Sequence, residues 1–145
     1  ALQKYPQPII VIDMGTATTL SYLGNNTYEG CVIIPGVRIA VEALSGRAAE
    51  LPHISIEEPP SVFGRSTIDA MRSGVLYVNA GMIDSMIQRM EEAAQPAATV
   101  VMTGGNAALI QKYCRREIHI DENLPLDGLS YLYHKNQDRR RRRGD

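Results

Sequence analysis

Five residues in two short stretches have the types and spacing of an anion-binding site: Asp13, Gly15 and Thr16 in IIVIDMGTATTLSYL, and Gly104-Gly105 in MTGGNA. The first stretch runs apolar through Ile9-Ile10-Val11-Ile12 and then ends on a carboxylate. A lone buried carboxylate costs several kcal/mol unless it is paired or bound to a metal. Asp13 therefore either caps a turn or faces a ligand. Gly15 permits a tight turn that brings backbone N–H groups close to an anion, and the Thr16 hydroxyl can donate to the same group. Like charge keeps Asp13 off a phosphate, so its chemistry would be to hold the neutralising cation or a water of that cation's shell. Gly104 and Gly105 leave room for a flat ring, and the helix start just after them offers N–H groups to anions. Either signal alone is common as an ordinary turn; their joint placement carries the weight. Thr67, in Gly64-Arg65-Ser66-Thr67, lies at a loop-to-helix junction where it or Ser66 can serve as N-cap or meet a ligand. Arg38 and Arg65 fit phosphate contacts or surface ion pairs equally well. His53, His119 and His134 are scattered, and no catalysis is assigned to them.

The framework around these residues can be read from composition and pattern. A length of 145 residues suits one domain with a real core, and the 44% hydrophobic and 21% charged content is that of a globular chain. A net charge of −1 argues against a general polyanion binder. No apolar run is long enough for a spanning helix and ALQKYPQP lacks a signal-peptide pattern, so a cytoplasmic protein without a membrane partner is expected. Cys31 and Cys114 have no metal or redox spacing and read as free thiols.

Ile9–Ile12, Thr18–Leu23 and Gly30–Ile34 read as three strands, with a hairpin turn at Gly24-Asn25-Asn26 and a stop at Pro35-Gly36. A helix is expected from Val37 to about Ala49, with Ile39, Val41, Leu44 and Ala48 inward. The proline-rich segment Leu51–Val62 reads as a loop with an irregular strand at His53–Ile56. Ser66–Ala94 is a long helix with Ile68, Met71, Val75, Val78, Met82, Met86 and Met90 on its inner face. Gly74 and Gly81 share one side of it, for packing on the domain's own sheet or for a helix–helix dimer seam. Thr99–Met102, Ala107–Tyr113, Glu117–Ile120 and Pro125–Lys135 complete the alternation. Residues 1–136 are read as one domain and 137–145, with the Arg139–Arg143 run, as a disordered basic tail. Nucleic-acid binding is not expected, because no further basic surface with interleaved aromatics accompanies the run.

Three antiparallel strands and then strand–helix alternation is the order of a ribonuclease-H-like half-domain, an α/β fold with a mixed sheet in the order β-β-β-α-α-β-α-β-α. The actin, sugar-kinase and heat-shock-chaperone superfamily uses it in pairs. With IDMGTATT, GCVIIPGVR, EALSGRAAELP, GRSTIDAMRSG and MTGGNA all present, the sequence resembles the C-terminal domain of type III pantothenate kinases over about residues 9–136.

The resemblance implies an ATP-dependent transfer of phosphate to pantothenate at the entry to coenzyme A biosynthesis. It implies that Asp13 binds potassium or ammonium, that Gly15 and Thr16 meet ATP, that Gly104 and Gly105 border its adenosine, and that Thr67 touches pantothenate. Magnesium accompanies the nucleotide, and relatives are homodimers. The family's first phosphate turn and its Gly-x-Asp-Arg general base belong to an N-terminal domain, and neither motif occurs in this chain. No catalytic residue is therefore expected here, and the chain reads as half of an enzyme, inactive alone. A transcriptional accessory protein of the same family and a stand-alone nucleotide-binding module are the other readings; the coding sequence upstream of Ala1 would separate the three.

Overall fold

The computed structural model describes residues 1–48 and 50–143, with the side chains of 139–143 set aside. Five strands form one sheet in the order β3-β2-β1-β4-β5. The first three, β1 (Ile9–Met14), β2 (Ala17–Gly24) and β3 (Thr27–Pro35), make an antiparallel meander. Asn25 and Asn26, at φ 50° and 58°, form the turn between β2 and β3. Asparagine tolerates this left-handed region, and two such residues in succession match the twist of a hairpin. On the other side of β1, β4 (Thr99–Thr103) pairs in parallel with Ile9 opposite Thr99, and β5 (His119–Ile120) pairs in parallel with β4. This is the mixed sheet of a ribonuclease-H-like half-domain, as the strand order in the sequence implied.

Alternation along the strands divides the interior. Ile10, Ile12 and Met14 of β1, Leu20 of β2, and Val100 and Met102 of β4 face the main core with Leu76, Ile83, Ile87 and Ile110. Full burial of each such side chain contributes about 1.5–3 kcal/mol. Ile9, Val101 and Leu124 form a smaller cluster on the opposite face with the N-terminal segment.

The helices differ from expectation in informative ways. Helix α1 (Val37–Arg47) buries Val37 and Val41, whereas Ile39 and Leu44 are exposed. Gly36 fixes its rotation: a Cβ there would lie 2.2 Å from the Thr16 carbonyl oxygen, so the helix start is pressed onto the first turn. Ala49, the expected end of this helix, lies outside the described residues. No strand forms at His53–Ile56, because neither sheet edge reaches that segment and side chains of three helices hold it instead.

The expected long helix is α2 (Thr67–Ser73), a π-helical segment (Gly74–Val78) and α3 (Asn79–Ala93) in direct succession. The wider π turn adds a residue and rotates α3 relative to α2, so the fully buried face becomes Leu76, Ala80, Ile83 and Ile87. Val78 and Ile68 are exposed, and Met82, Met86 and Met90 flank the core half-buried. Asn79 Nδ2 donates to the Val75 carbonyl at 2.7 Å, occupying an acceptor within the widened turn.

Helix α4 (Ala107–Gln111) is shorter than expected, and α5 (Leu124–Arg143) is longer. No proline or glycine occurs between Gly128 and Gly144, and Gln, Lys and Arg are good helix formers. The backbone thus stays helical through the basic run; Gly144 and Asp145 lie outside the described residues. No helix among the described residues is long and apolar enough to cross a membrane.

Candidate functional site

The two motifs meet at the carboxyl ends of the adjacent parallel strands β1 and β4, where open α/β sheets bind ligands. Asp13 is the last exposed residue of β1, opposite Thr19 on β2 and Thr103 on β4. Its Oδ1 lies 3.6 Å from the point a Cβ on Gly15 would occupy, an ordinary contact distance, so the carboxylate lies over the turn without requiring glycine there. The Gly15 N–H donates to the Ala17 carbonyl at 3.1 Å. It is therefore engaged inside the turn, which departs from the expectation that this N–H faces an anion. The exposed Thr16 side chain remains available, while the Thr16 carbonyl accepts from Gly36 N at 3.1 Å.

Gly104 closes the same cradle from β4. Its φ is +106°, and a Cβ would fall 2.5 Å from the Met14 carbonyl oxygen. No other residue fits that contact. Gly105 has nothing within 4 Å of a notional Cβ and opens onto a cleft of about 530 Å³. Arg38, Val41 and Glu42 of α1, His53–Ile56 of the loop, and Asn106 complete the cleft. Arg38 Nε donates to Glu42 Oε1 at 3.1 Å across one helical turn, so the ion-pair reading describes its present state.

Thr67 lies apart from these groups, in a second cleft of about 600 Å³ that is mostly apolar and shares Val41 with the first. Val37, Leu51, Met71 and Gly74 also line it. Ser66 is the cap of α2: its Oγ accepts from Asp69 N at 3.1 Å and donates to Asp69 Oδ2 at 2.8 Å. The capping role is thereby filled, and Thr67 begins the helix with its hydroxyl outside that exchange. The structure thus brings Asp13, Gly15, Thr16, Gly104 and Gly105 together and sets Thr67 in the neighbouring cleft, with α1 between.

The exposed Asp13 carboxylate beside Thr16 fits one oxygen ligand of a weakly held monovalent cation. No group of three or more His, Cys, Asp or Glu side chains among the described residues could hold a metal ion. Cys31 and Cys114 are free thiols. Burial, aided by the negative charge of Asp84, pushes the Cys114 thiol up to about 12, which removes it as a nucleophile at neutral pH.

Two contributors escaped the sequence reading. Gly36 read as a strand stop, and only its contact with the Gly15-Thr16 turn explains why nothing larger fits. Arg72 drew no reading from the sequence, yet its side chain is mostly covered and contacts the loop that walls the first cleft.

A family model described as type III pantothenate kinase matches residues 1–89. Two curated proteins bearing that name, from Exiguobacterium sp. and Bacillus cytotoxicus, are each 43% identical to this chain, over 94% and 93% of its length. The chain spans about half of theirs, 54% and 52%. Among solved structures, a Campylobacter jejuni protein described as a Baf family transcriptional activator aligns at a TM-score of 0.61 and 22% identity. That alignment covers 91% of this chain and 60% of the other. The Alp12 filament structure aligns at 0.50 and 14% identity, covering 84% and 45%. Both likenesses speak to the fold alone.

Proposed function

This chain belongs to the type III pantothenate kinase family, and from that premise we propose that it forms the C-terminal half of an ATP-dependent kinase acting on pantothenate. One observation carries the reading: Gly104 is seated against Met14, so the first turn and the glycine pair share one cradle. In this reading the Thr16 hydroxyl meets the phosphates where they lie over the Gly15 turn, and Gly104 and Gly105 border the adenosine. Asp13 supplies one oxygen to potassium or ammonium, a cation that offsets phosphate charge when bound. Thr67 hydrogen-bonds pantothenate in the neighbouring cleft. In the transfer, the pantothenate hydroxyl oxygen forms a bond to the γ-phosphorus, the bond to the β–γ bridging oxygen breaks, and ADP leaves. The hydroxyl proton passes to a base that this chain does not contain. Phosphoryl transfer depends on positioning and charge neutralisation from all sides, so an N-terminal domain must supply the metal–nucleotide turn and the base.

The protein works in this reading as a homodimer, but the π segment turns the two glycines apart, Gly74 into the Thr67 cleft and Gly81 beside Tyr77, Asp84 and Ser85, so the seam is placed at Gly81 alone. Support comes from the open space there: a Cβ at Gly81 would meet nothing within 4 Å, so this glycine is not needed for packing on the chain's own sheet.

Residues 1–145 alone should release no ADP that depends on pantothenate. Loss of general acid–base help alone commonly costs about 10²–10⁴ in rate. Turnover should partly recover when the N-terminal half of the Exiguobacterium relative is added as a separate polypeptide with potassium and magnesium. Strong pantothenate-dependent turnover by the chain alone would overturn the half-enzyme reading. Failure of the chain to bind ADP at all would overturn the nucleotide role.

A further inference from the structure

The loop between α1 and α2 has no regular secondary structure, yet side chains of α1, of α2 and just past α4 hold it. Ser45 Oγ on α1 donates to the Pro52 carbonyl at 2.9 Å. From α2, Arg72 Nη2 donates to Ser55 Oγ at 2.9 Å and pairs with Glu57 Oε2 at 2.7 Å, while its Nε reaches the Ser55 carbonyl at 3.4 Å. The next residue, Ser73, donates its buried hydroxyl to the Val62 carbonyl. Lys112, just past α4, pairs with Glu58. Gly64 lies flat on α2, where a Cβ would be 2.0 Å from Ala70 N, and Ile56 packs against the main core.

These ties fall on a useful stretch. Residues His53–Ile56 form one wall of the cleft over Gly105, and Leu51 lines the cleft that holds Thr67. The Lys112–Glu58 pair is surface-exposed on both sides, so it constrains little. Arg72 is different: only 22% of its side chain is accessible, and its planar fork engages a backbone carbonyl, a hydroxyl and a carboxylate at once.

We propose that Arg72 is a positioning residue for the nucleotide, setting residues 53–57 as a fixed wall facing the Gly104-Gly105 turn. This rests on the proposed nucleotide role of that turn. Arg72 does not touch the cleft itself; it acts through Ser55 and Glu57. A nucleoside lying over Gly105 then meets an already ordered wall, and binding does not have to order the loop.

Titrate the chain with ADP by calorimetry, and follow amide hydrogen exchange of residues 53–57, in the unaltered protein and in Arg72→Ala, Arg72→Lys and Gly105→Val. Arg72→Ala should weaken ADP binding about tenfold and speed exchange in residues 53–57, with β1 and β4 still protected. Arg72→Lys keeps the charge facing Glu57 but loses the fork, and should fall between the two on both readouts. If Gly105→Val abolishes binding while Arg72→Ala stays within twofold of the unaltered chain, the positioning role is wrong and the nucleotide site stands. If the unaltered chain binds no ADP, or Gly105→Val binds it normally, the nucleotide site is wrong and this inference falls with it. Unchanged exchange in Arg72→Ala would also overturn the proposal, because the wall would not depend on the arginine.

Discussion

Thr18 is fully buried on the core face of β2, and its Oγ1 has no hydrogen-bond partner among the described residues. A buried hydroxyl without a partner is destabilising, and valine has nearly the same shape without that group. Thr18→Val should therefore raise stability by about 1 kcal/mol, read as a higher denaturation midpoint. A drop in the midpoint would mean that the hydroxyl has a partner in solution. Asp13, Gly15, Thr16 and Gly104 could be picked out from the chain because each is an unusual residue type at the end of an apolar run. Arg72 and Gly36 could not, since their meaning lies in contacts 15 to 17 and 20 to 21 positions away, which no local pattern encodes. The hydroxyl of Thr18 was equally silent, because a threonine in a strand is ordinary.

Among the elements, the N-terminal segment is fixed to the start of α5 by Asp121. Its carboxylate accepts from Tyr5 OH at 2.6 Å and from Lys4 Nζ at 2.7 Å, and Lys4 also reaches Asp127 at 2.9 Å. Lys4, then Tyr5, holds the Asp121 carboxyl below its usual range. A depressed folded-state value means that the stabilisation is complete above the unfolded value of about 4 and fades as pH falls through the lower folded one. Asp121→Asn should cost about 1.5–3 kcal/mol at pH 7, mostly through the sheltered tyrosine bond, since Lys4 is half exposed and screened. The gap between the two proteins should narrow as pH drops below about 4; a gap that stays constant from pH 7 to 3 would contradict this account. The strand meander was legible because its hairpin turn and its exit are local: Asn25-Asn26 and Pro35-Gly36 announce themselves. The facing of α3 was not, because a π turn at Gly74–Val78 breaks the period on which helix-face reading depends.

For the molecule as a whole, apolar side chains are open beside α2 and α3, with Val78 at 67% and Phe63 at 81% exposure, and along α5, with Leu126 and Leu129 each at 64%. Patches of this kind mark association surfaces, and Gly81 lets a second backbone approach. Gly81→Leu should favour the isolated helix by about 1 kcal/mol while obstructing that approach. The variant should sediment as a monomer with its melting temperature kept or raised, against a dimer for the unaltered chain. Dimer mass in both would place the seam elsewhere. The pairing of Ile9 with Thr99 has a different consequence, one of time. Strands β1, β2 and β3 close through turns of a few residues, so the meander can form early and alone. Strand β4 must cross some ninety positions to reach β1, with loop-closure entropy to overcome before any contact rewards it. Refolding should therefore show the meander protected from exchange before the β1–β4 ladder, and the nucleotide cradle, built across that ladder, should be the last feature to appear.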